Sequence, residues 1–284
     1  MWQPKGRNEL LVKKQSPWQE IRLYRNGDEY WMALNRVLQF HTKECYKSHQ
    51  YMCKVPAMIA RNPRRALVIG GGDGFAAREL AKYPFMKEIV NVELDGDLID
   101  MTKNHPIMRH LTDNSFNNPK VKVIEGDGIN YLINAPKGKF DLIIDDCEYE
   151  YTGQGTDIEN KKEKARYEKY QKCLVDKLAP GGVSCVMEPL IQVVPPKHST
   201  LANHLIGKNR YFIAENGRIL DHGRHSQDQL RRRLVAKHAP KEDLDFFKKQ
   251  TPFVDFKVFM SEMIGPEAYI YASNMPLVPR RVIK

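Results

Sequence analysis

Four acidic residues stand where short apolar runs end. Asp73 lies inside Gly70-Gly71-Gly72-Asp73-Gly74, Glu93 follows Glu88–Val92, Asp127 lies in Gly126-Asp127-Gly128, and Asp146 follows Phe140–Ile144. Glycines permit a tight turn and let the backbone come close to a ligand. The order G-G-G-D-G is not the G-x-G-x-x-G of a dinucleotide loop. An aspartate beside a pyrophosphate would meet like charge, so Asp73 suits a ligand whose nearby end is a cation. A carboxylate at Glu93 can accept from both hydroxyls of a ribose, and Asp127 can accept from an adenine amino group. Plainer readings stay open: a tight turn without a ligand, a solvent-facing acid, an Asp-Gly turn, and a turn cap at Asp145-Asp146.

Asp146 has the clearest chemical use. An alkylamine with a pKa near lysine's, about 10.4, is neutral at pH 7 in only on the order of one molecule in a thousand. Removing its proton costs on the order of 4 kcal/mol. A carboxylate at the reacting centre can take that proton and orient the lone pair.

These residues require strand ends gathered on one edge. The pattern predicts strands over Ala66–Ile69, Glu88–Val92, Val121–Ile124, Phe140–Ile144 and Val183–Met187, with helices over Phe75–Tyr83, Leu98–Asn104 and Lys164–Leu178, the last stopped by Pro180-Gly181-Gly182. Strands alternating with helices imply an α/β fold, a Rossmann-like, doubly wound, mostly parallel sheet that binds ligands at its strand ends. Residues 1–55 read differently. Glu20–Arg25, the Asn26-Gly27 turn, Tyr30–Leu34 and Val37–Phe40 predict a small antiparallel β appendage. The expected division is therefore 1–55 and 56–284. Farther on, Asp228–Lys237 and Lys241–Lys249 look helical, and Phe253–Phe259 and Ala268–Ala272 read as closing strands.

Composition narrows the class. Hydrophobic residues make up 42% and charged residues 28%, the balance of a globular protein with a sizeable core. No apolar run is long enough to span a bilayer, and the N-terminus lacks the apolar stretch of a signal peptide, so the cytoplasm is expected. Five cysteines without a CxxC pair argue for reduced thiols and against a metal site. The net charge of +10 suits a solvated basic surface, with a nucleic-acid partner as the sharper alternative; Arg231-Arg232-Arg233 is the densest basic point.

In order and spacing, Arg65–Gly74, Val92-Glu93-Leu94-Asp95, Gly126-Asp127-Gly128 and Phe140–Asp146 resemble the spermidine synthase family. The resemblance is good over about 20–189 and weaker over 253–277. It implies that Gly70, Gly71, Gly72, Gly74, Gly128 and Glu93 hold a nucleoside and that Asp127 contacts adenine. It implies that Asp73 meets the amino end of the aminopropyl group of decarboxylated S-adenosylmethionine, a co-substrate rather than a permanently bound cofactor. Asp146 matches the catalytic aspartate, Gln39 a donor-site glutamine, and His49 the histidine of a Tyr-His-Glu segment.

The acceptor side departs from the family. Its tyrosine and glutamate become Ser48 and Gln50, its second aspartate falls on Tyr149 between Glu148 and Glu150, and a late acceptor-pocket tyrosine falls near Glu262. The expected function is a polyamine aminopropyltransferase acting on an amine such as putrescine, in a homo-oligomer. The alternatives are an S-adenosylmethionine-dependent amine methyltransferase and a non-catalytic nucleoside-binding homologue.

Overall fold

A computed structural model describes residues 8–147, 157–189, 212–215, 218–221, 248–251, 253–260 and 266–276. The N-terminal part is a four-stranded antiparallel sheet in the order β1 (Glu9–Gln15), β2 (Glu20–Asn26), β3 (Glu29–Leu34) and β4 (Val37–His41). The Gly27 φ of 60° closes the turn between β2 and β3, as Asn-Gly suggests. Strand β1 is an addition to the sequence-based expectation, because its run of Lys and Leu has little β-branched character.

A helical stretch follows, made of α1 (Cys45–His49), a π-helical turn (Gln50–Lys54) and α2 (Val55–Ile59). Then come β5 (Arg65–Gly70), α3 (Phe75–Ala81), β6 (Glu88–Glu93), α4 (Gly96–Asn104), α5 (Pro106–Leu111), β7 (Val121–Glu125), α6 (Gly128–Asn134) and β8 (Phe140–Asp146). The described chain closes with α7 (Asp157–Asp176), β9 (Leu178–Pro189), the hairpin of β10 (Phe212–Glu215) and β11 (Arg218–Asp221), β12 (Phe253–Met260) and β13 (Pro266–Ser273). The predicted helices Asp228–Lys237 and Lys241–Lys249 lie at least largely outside the described residues.

The main sheet runs β12-β13-β9-β8-β5-β6-β7. From β9 to β7 all neighbours are parallel, and β13 is antiparallel to β9. The chain leaves β5 toward β6 and β7, then returns to β8 on β5's other side. The topological switch point therefore lies between β5 and β8, where open α/β sheets bind ligands.

Strand alternation sorts the core onto two faces. Leu67, Ile69 and Ile143 pack with Leu132 of α6 and Leu174 of α7. Ala66, Val68 and Ile144 pack with Met52, Cys53, Ala57 and Leu80 on the other face. A third cluster joins Ile21, Met32 and Phe40 of the N-terminal sheet to Phe75, Leu98 and Met108, so this sheet docks on α3, α4 and α5. Polar contacts fix the same seam. Ser16 Oγ and Gln19 Nε2 both donate to Asp95 Oδ2, at 2.7 and 2.8 Å.

Pro180-Gly181-Gly182 does more than stop a helix. Helix α7 ends at Asp176, and β9 pairs with β8 at Leu178 and again from Val183, leaving the tripeptide as an excursion within the strand.

Candidate active site

The switch point is closed by backbone contact. Gly70 is the register partner of Asp146, and Gly71 N–H donates to the Asp146 carbonyl at 3.3 Å. Asn91, buried in β6, donates from Nδ2 to the Gly70 carbonyl at 2.8 Å. These bonds set the height of the glycine loop above the strand ends. A β-carbon on Gly72 would meet the Glu93 and Leu98 side chains at 2.6 to 2.7 Å, so the loop leaves no room there for a side chain.

Glu93 lies against this loop. Its Oε2 accepts from Gly72 N–H at 3.0 Å and its Oε1 from Asp95 N–H at 2.9 Å. Burial pushes its carboxyl above the usual range, while the backbone donors from Asp95 and Gly72 pull it back. Each carboxylate oxygen retains a second lone pair for a hydroxyl donor. The adjacent Leu94 is 41% exposed and offers an apolar surface at the strand end, a feature that alternation does not mark in advance.

Asp73 and Asp146 turn toward one histidine. Asp73 Oδ1 accepts from Phe75 N–H at 3.0 Å, which aims Oδ2 the other way. His49 Nε2 lies 3.9 Å from Asp73 Oδ2 and 3.9 Å from Asp146 Oδ2. Among the described residues, these three form the one group whose ligating atoms lie within 4.8 Å of one another, a spacing to be weighed for a metal as well as for an amine.

His49 is the last residue of α1, directly before the π-helical turn, a distortion that recurs at functional sites. Its ring stands 5.3 Å from that of Phe75. Phe75 also meets Phe40 at 4.7 Å and lies under the Arg78 guanidinium. Arg78 is buried, stacks on Tyr46 of α1 at 4.1 Å, and donates to Glu79 and to the Leu111 carbonyl. Helix α1 is thus clamped onto α3. The π-helical turn is tied down separately, by Tyr271 Oη donating to the Tyr51 carbonyl at 2.9 Å.

Gln39 is the extra residue of a β-bulge, since Met32 pairs with Phe40 and Ala33 with Leu38. Bulges re-aim side chains near active sites. Neighbouring Phe40 packs on Phe75 and holds the bulge beside the glycine-loop helix.

Asp127 is placed differently. It caps α6, its Oδ1 accepting from Asn130 N–H at 3.0 Å, and its Oδ2 pairs with Arg166 of α7. It lines a cavity of about 500 Å³ with Val92, Ile124 and Tyr131. Gly128 packs against the core, since a β-carbon there would sit 2.7 Å from Ile69 Cγ2. Gly126 N–H donates to the Glu93 carbonyl at 2.8 Å and ties these strand ends together. Glu148, Tyr149, Glu150 and Glu262 lie outside the described residues.

Asp145 is an acid that the sequence reading took only as part of a turn cap. It points to the opposite face from Asp146, accepts from Cys147 Sγ at 3.0 Å, and also meets the Tyr170 hydroxyl. Burial pushes its carboxyl up, against the pull of these donors. Strand alternation alone separates Asp145 from Asp146.

The seven-stranded sheet with acidic strand ends at its switch point defines an α/β protein of the doubly wound class. The model of the spermine/spermidine synthase domain matches residues 46–194, just over half of the chain. The chain belongs to the spermine/spermidine synthase family. Over 138 residues it is 39% identical to polyamine aminopropyltransferase 2 of Aquifex aeolicus, covering 49% of this chain and 28% of that protein. It is 31% identical over 142 residues to the polyamine aminopropyltransferase of Clostridium tetani, covering 49% of this chain and 48% of that one. The match thus spans about a quarter to a half of the length of these relatives. A spermidine synthase crystallised with the transition-state analogue AdoDATO superposes with a TM-score of 0.67 at 20% identity, over 95% of this chain and 75% of that one. The spermidine synthase of Thermotoga maritima gives 0.65 at 20%, over 95% and 74%. At that identity these likenesses establish the fold. Among the described residues no helix is long and apolar enough to cross a membrane.

Proposed function

We propose that this protein transfers an aminopropyl group from decarboxylated S-adenosylmethionine to a small primary amine, of which putrescine is one candidate, and releases methylthioadenosine. The observation that carries the reading is the convergence of Asp73 and Asp146, from the first and fourth parallel strands, on one side of the glycine loop. Two carboxylates at that spacing favour a cationic ligand.

In this reading Glu93 accepts from the ribose and the loop Gly70–Gly74 lies along the donor. Asp127 faces the adenine side, and Gln39 and His49 border the donor. Glu148, Tyr149, Glu150 and Glu262 are candidates for the acceptor side. Asp146 takes a proton from the acceptor ammonium. The neutral nitrogen then forms a bond to the methylene carbon next to the sulfonium. The carbon–sulfur bond breaks, and its electron pair stays on sulfur as a neutral thioether. Placement in line and deprotonation of the acceptor supply the rate. In this reading 1–55 is the β appendage, which contributes Gln39 and His49, and 56–284 is the catalytic domain.

The test is to offer the purified protein labelled decarboxylated S-adenosylmethionine with a panel of di- and polyamines and weigh the products. A mass gain of one aminopropyl unit on an amine supports the reading. Methylated amines formed from S-adenosylmethionine, or no product with any amine, would remove it.

A further inference from the structure

The parallel strands start on the edge opposite the active site, and that edge is basic. Backbone hydrogen bonds fix the neighbours there. Lys87 N–H donates to the Arg64 carbonyl at 2.8 Å, Ile89 N–H to the Lys120 carbonyl at 2.8 Å, and Phe140 N–H to the Lys177 carbonyl at 3.2 Å. A cationic residue stands at or just before the first residue of each of β8, β5, β6 and β7. Neighbouring strands lie about 4.8 Å apart, so these residues form a row. Strand β5 has 6 residues, which puts this row about 20 Å from the acidic edge. Exposed charges are screened within about 8–10 Å, so the two edges do not neutralise each other.

Part of the basic charge has a structural use. Helices α3 and α6 run back against the strands and aim their C-terminal carbonyls at this edge. Lys120 Nζ donates to the Ala81 and Tyr83 carbonyls at 3.0 Å each, and Lys177 Nζ donates to the Ala135 carbonyl. Lys82 pairs with Glu79, and Arg65 with Asp141. Arg61, Arg64, Lys87, Lys137 and Lys139 remain. Among the described residues none of these five forms an ion pair. The first four are exposed, and Lys139 is half-buried with its ammonium 5.4 Å from the centre of the Phe140 ring. Glu88 and Asp176 are exposed acids on the same edge and leave a cationic surplus.

Arg61 rests on a built shelf. Its N–H donates to the Gly181 carbonyl at 2.9 Å. Gly181 has a φ of 76°, and a β-carbon there would stand 2.7 Å from Arg61 Cβ. Asn274 pins the shelf, accepting from Gly181 N–H at 2.9 Å and donating to the Leu178 and Ala179 carbonyls at 3.1 Å each. The excursion within β9 thus carries the stem of Arg61, and the residue stays exposed.

We propose that this edge binds the phosphodiester backbone of a nucleic acid, with Arg61, Arg64, Lys87, Lys137 and Lys139 as phosphate contacts, while the acidic edge stays open to its own ligands. The inference does not depend on the aminopropyl-transfer reading. Among the described residues the exposed large apolar side chains are Leu10, Trp18, Val37, Tyr46 and Leu94, and none belongs to this edge. A protein partner needs aromatic or aliphatic anchors at the centre of its interface. A membrane-surface site needs an apolar face beneath its cations. A phosphodiester chain needs cations alone. Contacts to phosphates carry no sequence information, so no base preference is expected.

Fluorescence anisotropy of a labelled oligouridylate with the full chain tests the proposal. About five phosphate contacts give a log–log salt slope of about −3.5, so affinity is expected to fall about 100-fold between about 50 and 200 mM salt. Arg64→Glu, Lys87→Glu and Lys137→Glu together are expected to weaken binding by at least about 10-fold at low salt and to flatten the slope by about 2. Arg64→Lys, Lys87→Arg and Lys137→Arg together keep both affinity and slope. Unchanged affinity in the charge-reversed protein, or no binding by wild type at about 50 mM salt, would overturn the proposal. Binding to phosphatidylserine vesicles without binding to oligouridylate would also overturn it, in favour of a lipid surface. If the charge-reversed protein does not fold, photocrosslinking of wild type to a thiouridine-substituted oligomer decides. Crosslinked peptides from residues 61–65, 82–88 or 136–140 support the proposal. Crosslinks confined to other segments, Arg231-Arg232-Arg233 among them, refute it.

Discussion

Gly71 lies directly beneath the carboxylate of Asp146. A β-carbon at position 71 would stand 2.9 Å from Val68 Cγ1 and 3.0 Å from Asp146 Oδ2, and the residue holds a φ of 65°. Both crowding and backbone conformation oppose any other residue there. Gly71→Ala is expected to lower stability by about 1–3 kcal/mol, read from denaturant unfolding. It should also displace Asp146 and cut turnover more than the stability loss alone would.

Asp146 is the proposed acceptor of the amine's proton. Asp146→Asn retains its size and loses its basicity. Turnover is expected to fall by about 10²- to 10⁴-fold, with methylthioadenosine affinity little changed. Steady-state kinetics with parallel calorimetry measure both, and unchanged turnover would strip Asp146 of that role.

Glu93 gives a pH dependence of defined sign. Burial raises its folded-state pKa above the ordinary carboxylate value. An acid raised in this way binds its proton more tightly in the folded than in the unfolded protein. Its contribution to stability is therefore present at low pH and lost as pH rises from the ordinary carboxylate range through the raised folded value. Glu93→Gln cannot ionise. Relative to wild type, its stability should improve as pH rises through that window, while methylthioadenosine binding weakens at every pH. A stability difference independent of pH would contradict the assignment.

Arg78 joins the helix that carries His49 to the glycine-loop helix. It is 2% exposed, donates to Glu79 and the Leu111 carbonyl, and stacks on Tyr46 and Phe75. Arg78→Met would leave the Leu111 carbonyl without this donor, and Glu79 with Lys82 as its remaining cationic partner. A loss of about 3–5 kcal/mol is expected, visible as a lowered Tm.

The sequence announced the strand ends well because each ends in glycine or acid after an apolar run. Asp73, Glu93 and Asp146 were found in this way, and all three border the switch point. Asp127 was also found, but one sequence could not separate an adenine contact from a helix cap, and the cap is what the structure displays, with Arg166 across from it. The short helices α1, α2 and α5 escaped notice because five or six residues are too few for a helical period to emerge. The roles of Arg78 and Tyr271 depend on partners distant in sequence, as with Tyr271 Oη and the Tyr51 carbonyl, so no local pattern revealed them. The bulge at Gln39 arises from the pairing of β3 with β4 and has no signature in Val37-Leu38-Gln39 itself.

The central claim is that clustered carboxylates receive a sulfonium nucleoside whose far end is a bare ammonium. Isothermal titration of the protein with decarboxylated and with carboxylated S-adenosylmethionine tests this most directly. Asp73 should repel the extra carboxylate, so the decarboxylated form is expected to bind at least about 10-fold more tightly, with the gap narrowing in Asp73→Asn. Equal or tighter binding of the carboxylated form would contradict the account.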